Sequence, residues 1–372
     1  MSPTDIRFVD QSPDARKFFS TLRQRVDGYF KENGISRNSN ATMHIKTVVL
    51  LSLYLLPIPV LMLVPMPPLA YFSLWLLMGF AVAGVGMSVM HDANHGAYSK
   101  NHRTNFILGS TLNLLGGSMF NWKIQHNLLH HTYTNITHKD DDIDDKLILR
   151  FSPHTPTKWY HKLQFIYAFA FYCITTLYWV FLKDFFQFQR YLREGYGSKH
   201  TKTELTVIFL KILMAKAFYI FLFLFMPLVI FNAPAGAWFA GFLLMHFTAG
   251  LILTVIFQLA HTVEGTTHPL PDENNTIENN WAIHQLNTTV NFATKNKFLT
   301  WYLGGLNYQV EHHLFPNICH VHYPQVSDIV KSTCAEFGVP YLENRTFGGA
   351  LKSHVATLKR FGASHAIEEA LA

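Results

Sequence analysis

Seven histidines in three short clusters are the residues of this chain best suited to binding metal ions. The central cluster is QHNLLHH, residues 125–131. On a helix, residues four positions apart share a face, so His126 and His130 can point at one ligand. His131 lies about 100° further round and must point elsewhere. One four-coordinate metal ion has little use for that arrangement, but two neighbouring metal ions do.

Two further clusters supply partners for the first. HDANH, residues 91–95, precedes it, and QVEHH, residues 309–313, follows far downstream. Seven imidazoles exceed the capacity of one metal ion, which favours a dinuclear centre. Imidazole suits zinc, copper, iron and nickel alike, so these residues do not name the metal. If the seven histidines were instead satisfied separately by backbone or carboxylate groups, nothing would explain the two His-His dipeptides.

Carboxylates or amides beside a ligating histidine fix its tautomer and orientation. Asp92, Asn94, Glu311 and the acidic run Asp140–Asp145 are candidates for that role. The acidic run could equally be a solvated loop.

The composition indicates that a membrane positions these clusters. Charged residues make up 15% of the chain against about 25% in ordinary globular domains, and apolar residues make up 49%. The net charge of +6 would suit either nucleic acid or the basic loops on the inner side of a membrane protein. The three cysteines are scattered and predict neither a disulfide framework nor a zinc ribbon.

Four apolar stretches are long enough to cross a bilayer, which takes about 20 residues each. They form two hairpins, and the stretches are 47–64, 68–90, 206–231 and 236–260. A fifth stretch, 164–182, is interrupted by tyrosines and threonines, so we expect it to lie in the membrane interface. An even number of spans then keeps all the histidine clusters on one side.

The charges agree with this arrangement, because the two short outer turns carry no Lys or Arg while the inner segments carry many. That asymmetry is the positive-inside pattern and explains the net charge without nucleic acid. We therefore expect an all-α integral membrane protein with four transmembrane helices in two hairpins. A cytoplasmic helical cap would hold a di-metal site, and both termini would be cytoplasmic.

Three segments divide the chain on this interpretation: a cytoplasmic N-terminal segment 1–46, a membrane domain 47–345 and a cytoplasmic tail 346–372. Residues 14–33 carry apolar side chains at helical spacing between basic ones. They predict an amphipathic helix that either lies on the membrane surface or packs on the protein as a soluble cap. His246, in the middle of the last span, is either packed in the helix bundle or lines a tunnel.

At the histidine clusters the chain resembles a known family. HDANH, HNLLHH and QVEHH look like the three histidine boxes of the membrane fatty acyl desaturases, and the Gln that opens the third box marks the front-end, Delta-5/Delta-6-type branch. The flanking sequences HHTYTNITHKDDDIDD and GGLNYQVEHHLFP are also similar to that branch. The likeness covers roughly residues 40–345.

The resemblance implies a non-haem di-iron enzyme that uses O2 and two electrons to insert a cis double bond. The bond would fall between the carboxyl end and an existing double bond of an acyl-CoA or acyl-lipid substrate. The implied iron ligands are His91, His95, His126, His130, His131, His312 and His313, together with His261 at the family's position after the last span. Gln309 stands where the stearoyl-type branch has a histidine, so it implies a weaker oxygen ligand or an extra water.

The chain departs from the family pattern at a second point, and other functions compete with this one. The His-Pro-Gly-Gly motif of a fused haem domain is absent, so we expect electrons from a separate donor, a ferredoxin or a small cytochrome. A membrane lipid hydroxylase or a sphingolipid desaturase could use the same boxes. A membrane metal transporter would place its ligands near the bilayer midplane, whereas these clusters fall at span ends or in loops. Chain length, regiochemistry, acyl carrier and oligomeric state stay open.

Overall fold

The structure is a computed structural model that describes residues 6–10, 13–143 and 148–363. These residues fall into two compact units, which we call the span unit and the histidine unit. The span unit comprises residues 40–124 and 169–255, and the histidine unit comprises residues 1–39, 125–168 and 256–372. The chain passes between the two units four times.

Helices make up most of the described chain. The first ten α-helices are α1 Pro13–Glu32, α2 Ala41–Leu55, α3 Pro57–Leu63, α4 Pro68–Gly84, α5 Met90–Asn94, α6 His102–Gly109, α7 Thr111–Leu114, α8 Met119–Trp122, α9 His131–Tyr133 and α10 Gln164–Cys173. The others are α11 Thr175–Tyr178, α12 Asp184–Arg193, α13 Lys202–Ile220, α14 Ala235–His261, α15 Trp281–Thr288, α16 Lys297–Tyr302, α17 Gln309–Leu314, α18 Tyr323–Phe337 and α19 Phe347–Gly362. Segments with the wider π-helical winding are Val85–Val89, Lys123–His130, Trp179–Lys183 and Phe221–Ile230, and 3-10 turns cover Trp159–Leu163 and His320–His322.

Four helical segments are long and apolar enough to cross a membrane, as predicted. They are Ala41–Leu63, Pro68–Asn94, Lys202–Ile230 and Ala235–His261. Polar residues begin two of them: Asn40 accepts a hydrogen bond from the backbone N–H of Met43, and Thr201 caps the third span. The second and fourth spans pack closely, because a Cβ atom at Gly79 would lie 2.8 Å from the carbonyl oxygen of Met245.

The fifth apolar stretch packs against the fourth span. It belongs to a helix pair, Trp159–Cys173 and Thr175–Arg193, that is bent by 55° and would be a fifth span if it crossed as one. The Thr176 hydroxyl donates to the carbonyl oxygen of His246 at 3.0 Å. His246 lies 15 residues, or about 22 Å, from the end of α14, so the bend of the pair lies deep beside that span.

His246 is a packed residue of the helix bundle. Its Nε2 atom lies 2.9 Å from the hydroxyl of Tyr219, and its Nδ1 atom lies 3.0 Å from Oγ1 of Thr176. Because Thr176 donates its own hydrogen to the His246 carbonyl, Nδ1 carries the hydrogen and Nε2 accepts from Tyr219. Both ring nitrogens are therefore occupied in a structural network, and the tunnel-lining alternative has no contact to support it.

A buried ion pair crosses the apolar interior of the span unit, and the apolar pattern of residues 206–231 gave no sign of it. Lys216 and Asp184 form the pair, and both side chains are almost fully buried. The Lys216 ammonium also donates to the carbonyl oxygens of Gly116 and Trp179. A lone charge in a membrane is costly, so the pairing with Asp184 is what allows Lys216 to hold three segments together.

The histidine unit is built around an apolar core that includes the N-terminal helix. Phe18, Leu22, Val26 and Phe30 on α1 are buried against side chains of α15, α17 and α18. Of the two alternatives for this helix, packing on the protein is therefore the correct one. Two short pairs of parallel strands complete the unit: Arg7–Phe8 with Thr276–Ile277, and Asn291–Phe292 with Glu343–Asn344.

Candidate metal centre

The central histidine cluster lies on a π-helical segment, Lys123–His130, that runs directly into α9. The His126 and His130 rings are adjacent, with centroids 5.1 Å apart. The His131 ring is also only 4.9 Å from that of His126. The wider winding of this segment brings the His131 ring close to that of His126. Five residues turn an α-helix about 140° past a full turn but turn a π-helix only about 50° past it.

Three buried imidazoles from distant parts of the sequence converge in the histidine unit. One nitrogen each of His130, His261 and His313 lies within 4.8 Å of the other two, and all three side chains are fully buried. The ring centroids are 4.7 to 5.0 Å apart. The central cluster, the end of α14 and the last turn of α17 thus each contribute one ring.

A second group lies beside the first and shares its neighbours. The rings of His126 and His312 are stacked with centroids 6.0 Å apart. The His131 ring is 4.6 Å from that of His312 and 4.4 Å from that of His313. Six of the predicted ligands are therefore brought together within the histidine unit, with His131 between the two groups.

The remaining two predicted ligands lie in the span unit at the end of the second span. The His91 and His95 rings have centroids 4.7 Å apart, and each packs edge-on against Trp122 at 5.7 and 5.6 Å. The Asp92 carboxylate lies 4.0 Å from Nδ1 of His91. The HxxxH spacing thus brings these two rings together, as helical geometry requires.

The outer nitrogens of the clustered histidines are held by other side chains and carbonyls. The Nδ1 contacts are His126 to Asp142 at 2.9 Å, His130 to Asp140 at 2.9 Å, His261 to the Thr288 carbonyl at 3.2 Å, His312 to the Tyr323 hydroxyl at 3.1 Å and His313 to Oε1 of Gln285 at 2.7 Å. Carboxylate and carbonyl oxygens only accept hydrogen bonds, so in four of these rings Nδ1 carries the hydrogen. In that tautomer Nε2 carries the lone pair that a cation would bind, as in metal sites generally.

A tight turn returns the acidic run to the histidines. Asn135 adopts a left-handed conformation with φ of 59°, which asparagine tolerates better than most residues. Its backbone N–H donates to Asp140 at 2.9 Å, and its side chain donates to the carbonyl oxygens of His261 and Thr267. Asp140 and Asp142 therefore orient histidines, as expected of the acidic run. Asp144 and Asp145 lie outside the described residues.

The electrostatics of the site follow from burial. Burial alone lowers the pKa of His130, but the Asp140 carboxylate against its Nδ1 outweighs that effect and raises it. Burial also disfavours the charged form of Asp140, and it therefore raises the pKa of that carboxyl group. Glu311 is fully buried, and burial raises its pKa to about 7. Its carboxyl group receives hydrogen bonds from Asn291 at 2.7 Å and Tyr341 at 2.9 Å, so these contacts tie it to the protein framework rather than to a ring.

Gln309 lies beside the inner nitrogens of two of these rings. Its Nε2 atom is 3.0 Å from Nε2 of His261 and 3.2 Å from Nε2 of His313. The Nε2 atom of His130 has no hydrogen-bond partner among the described residues. Three imidazole lone pairs within one small buried space, with an amide beside them, fit a metal ion whose ligands are nitrogen and oxygen atoms.

The comparison with known proteins agrees with this chemistry. A sequence model of the fatty acid desaturase family matches residues 66–345. The chain belongs to that family. An sn-1 linoleoyl-lipid 6-desaturase of Arthrospira platensis is 37% identical over 346 residues, which cover 92% of each chain. One of the same description from Synechocystis sp. is 37% identical over 350 residues, covering 93% of this chain and 96% of the relative. An acyl-lipid (8-3)-desaturase of Physcomitrium patens is 36% identical over 353 residues, covering 93% of this chain and 72% of the relative.

The desaturase is therefore an oxidoreductase that acts on fatty acyl chains. Its clustered histidines were recognisable from their spacing, and His261 from the family resemblance, but three groups that orient them were not. Gln285, Thr288 and Tyr323 each bond the outer nitrogen of one imidazole. They lie 11 to 28 residues from the histidine they hold, and neither their types nor their spacing distinguishes them from other polar residues of the desaturase.

Proposed function

We propose that the desaturase inserts a cis double bond between the carboxyl end and an existing double bond of an unsaturated acyl-lipid, as a Delta-6 or Delta-5 type enzyme. The overall reaction would remove two hydrogens from adjacent methylenes. With O2, two electrons and two protons it yields one carbon–carbon double bond and two waters. The lipid substrates named for the relatives above, at 36 to 37% identity, support this class of substrate over a soluble carrier.

We further propose two iron ions as the resident metals. His91, His95, His126, His130, His131, His261, His312 and His313 would hold them, with Gln309 beside them. Iron would supply the oxidising power needed to attack an unactivated C–H bond. The chemistry of the donor set supports it, since imidazole suits iron and the family uses it.

The protein's own part is to orient and to exclude water. The outer-nitrogen contacts keep the Nε2 lone pairs of His126, His130, His261 and His313 pointing inward. The burial of these rings would exclude water from the metal ions, and a reactive oxidant would thereby be protected from side reactions. The convergence of buried imidazoles from three distant segments of the chain is the observation that carries the proposal.

Metal analysis and lipid profiling together test it. The pure protein should contain two irons per chain, and a host that expresses it and is fed linoleic and α-linolenic acid should accumulate acyl chains with a new double bond at constant distance from the carboxyl group. His130→Ala should abolish product formation and lower the iron content, whereas His102→Ala, at an exposed position outside the clusters, should retain both. Zinc, a single metal per chain, or a bond at constant distance from the methyl end would contradict the proposal. A hydroxylated product would favour the hydroxylase alternative.

We also propose that the active site and both termini are cytoplasmic and that a separate ferredoxin or small cytochrome supplies electrons. The absence of Lys and Arg from the two short turns supports the orientation. Single cysteines at Met66 and Ala233, in a background without the three native cysteines, should label from outside intact cells. Labelling of a cysteine at Gly195 from outside would show that the orientation is wrong.

A further inference from the structure

Residues 158–166 of the histidine unit form a helical surface whose apolar side faces outward. Trp159, Leu163 and Ile166 are 84%, 57% and 62% exposed, and their spacing places them on one face. Two polar residues of the same segment, His161 and Gln164, face inward and are buried. A helix that packs on a protein in water has the opposite arrangement.

The segment is held rigidly by α19 and by a buried arginine. Gln164 donates to the carbonyl oxygen of Leu358 at 2.8 Å and exchanges two hydrogen bonds with the backbone of Arg150. The Arg150 guanidinium in turn donates to the carbonyl oxygen of Phe361 in α19. Because these hydrogen bonds hold the inward polar groups in place, the outward apolar side chains have fixed positions on the surface.

Basic residues flank the apolar side chains. Lys158, Lys162, Lys359 and Arg360 are exposed, and Lys359 reaches the segment, with its Nζ atom 5.9 Å from the ring of Phe165. Neither 148–168 nor 345–363, the two stretches that form this surface, contains an Asp or Glu. We call this surface the basic-apolar ridge; it consists of Lys158, Trp159, Lys162, Leu163, Ile166, Lys359 and Arg360.

We propose that the basic-apolar ridge binds anionic phospholipid headgroups, with Trp159, Leu163 and Ile166 inserted among the upper acyl carbons. Tryptophan belongs at the boundary between headgroups and acyl chains, and lysine can bury its stem there while its ammonium group stays with the phosphates. Each such cation contributes about 1 kcal/mol of attraction to an anionic membrane. A second copy of the chain is a poor occupant, because it would bring four like charges against four.

Lipid bound at this ridge would stabilise the part of the histidine unit that contains His261. Ser353 and His354 of α19 bond the two ends of the turn that follows His261: the Glu264 N–H donates to Ser353 at 2.8 Å, and His354 lies 2.8 Å from the carbonyl oxygen of Thr262. A ligand that binds only the folded state raises the unfolding temperature. Thermal unfolding is therefore a readout that does not depend on desaturase activity.

The experiment measures the unfolding midpoint of the full chain in detergent micelles containing dioleoyl phosphatidylglycerol or dioleoyl phosphatidylcholine. Phosphatidylglycerol should raise the midpoint more than phosphatidylcholine. In K158Q/K162Q/K359Q that difference should disappear, with an apparent affinity for phosphatidylglycerol about 100-fold lower on the basis of three lost cations. K17Q/R23Q/K31Q removes three exposed charges from α1 and should keep the wild-type response.

Equal effects of the two lipids on the wild type, or an unchanged response of the ridge variant, would overturn the proposal, as would an equal shift with inorganic phosphate alone. A second measurement covers the case in which the triple variant does not fold. In proteoliposomes, the fluorescence of Trp159 is obtained by subtracting the spectrum of Trp159→Phe from that of the wild type. Brominated phosphatidylglycerol should quench that difference signal more strongly than brominated phosphatidylcholine, and absence of quenching by either lipid would also refute insertion.

Discussion

Replacing Asp140 with asparagine tests whether a buried carboxylate controls metal binding through His130. The carboxylate oxygens of Asp140 accept hydrogen bonds from Nδ1 of His130, from the N–H of Asn135 at 2.9 Å and from the N–H of Asp142 at 3.0 Å. Asparagine has one acceptor oxygen instead of two, so the new NH2 group must face at least one of these donors. The His130 ring then loses either its position or its tautomer.

The expected magnitude follows from these contacts. A group that holds a metal-ligating histidine typically accounts for about 10- to 100-fold in metal affinity, or about 1.4 to 2.8 kcal/mol. One buried N–H left without an acceptor costs a further 1 to 3 kcal/mol, roughly, of folding stability. We therefore expect Asp140→Asn to bind iron at least about tenfold more weakly and to unfold at a lower temperature.

Iron affinity can be measured by competition with a chelator of known strength, alongside the unfolding midpoint in detergent. Asp272→Asn is the matched control, because Asp272 also accepts two backbone N–H hydrogen bonds, from Asn274 and Thr276, but in a turn that contains none of the clustered histidines. Wild-type iron affinity in Asp140→Asn, or an equal loss in the Asp272 variant, would refute the role assigned to the carboxylate.

Three further predictions concern single side chains. Gln309→Ala should lower turnover by about tenfold or more while leaving the iron content near two, since eight imidazoles remain. Parallel losses of turnover and iron would contradict this prediction. Gln309→Glu serves as the comparison. His354 is fully buried, and burial lowers its pKa to about 4, so the stability it contributes is complete above the unfolded pKa near 6.5 and is lost as the pH falls towards 4. His354→Asn keeps a donor for the Thr262 carbonyl but removes the titrating ring. The difference in unfolding free energy between pH 7 and pH 4 should therefore shrink by about 3 kcal/mol. Unfolding free energies of wild type and variant that stay parallel across this pH range would show the reasoning to be wrong. Lys216→Met leaves Asp184 charged in an apolar interior and should cost about 3 to 5 kcal/mol, of which the double variant with Asp184→Leu should recover most; no recovery, measured as the unfolding midpoint, would show that the lost packing dominates.

The four spans could be predicted from sequence because hydropathy over some 20 residues is a sum in which single exceptions hardly matter. For the same reason the sum concealed Lys216, whose charge is neutralised by Asp184 32 residues earlier. The packing of the bent helix pair could not be predicted for a related reason. Its threonines look exposed when counted one by one, but Thr176 finds its partner on the fourth span.

The candidate site divides in the same way. Histidines four apart on a helix must lie together, so His126 with His130 and His91 with His95 could be paired from their spacing alone. The convergence of His130, His261 and His313 required the family resemblance, because nothing in the local sequence of His261 marks it. The contacts of Gln285 and Tyr323 depend on how α15 and α18 pack, and packing is not encoded at short range.

The winding of the second histidine cluster shows how an inserted residue can be accommodated without moving a ligand set. In α17, Gln309 is followed by side chains three and four positions on, which in an α-helix lie about 60° to one side and 40° to the other. His126 is followed by histidines four and five positions on, and its π-helical winding places them about 30° and 50° to either side. The three- and four-residue spacings of α17 and the four- and five-residue spacings after His126 thus project their side chains in similar directions. The central cluster corresponds to the QVEHH cluster with one residue added. The larger number of residues in each turn of the π-helical winding accommodates that residue. A search for related sites should therefore compare the directions in which the histidines project and not the number of residues between them.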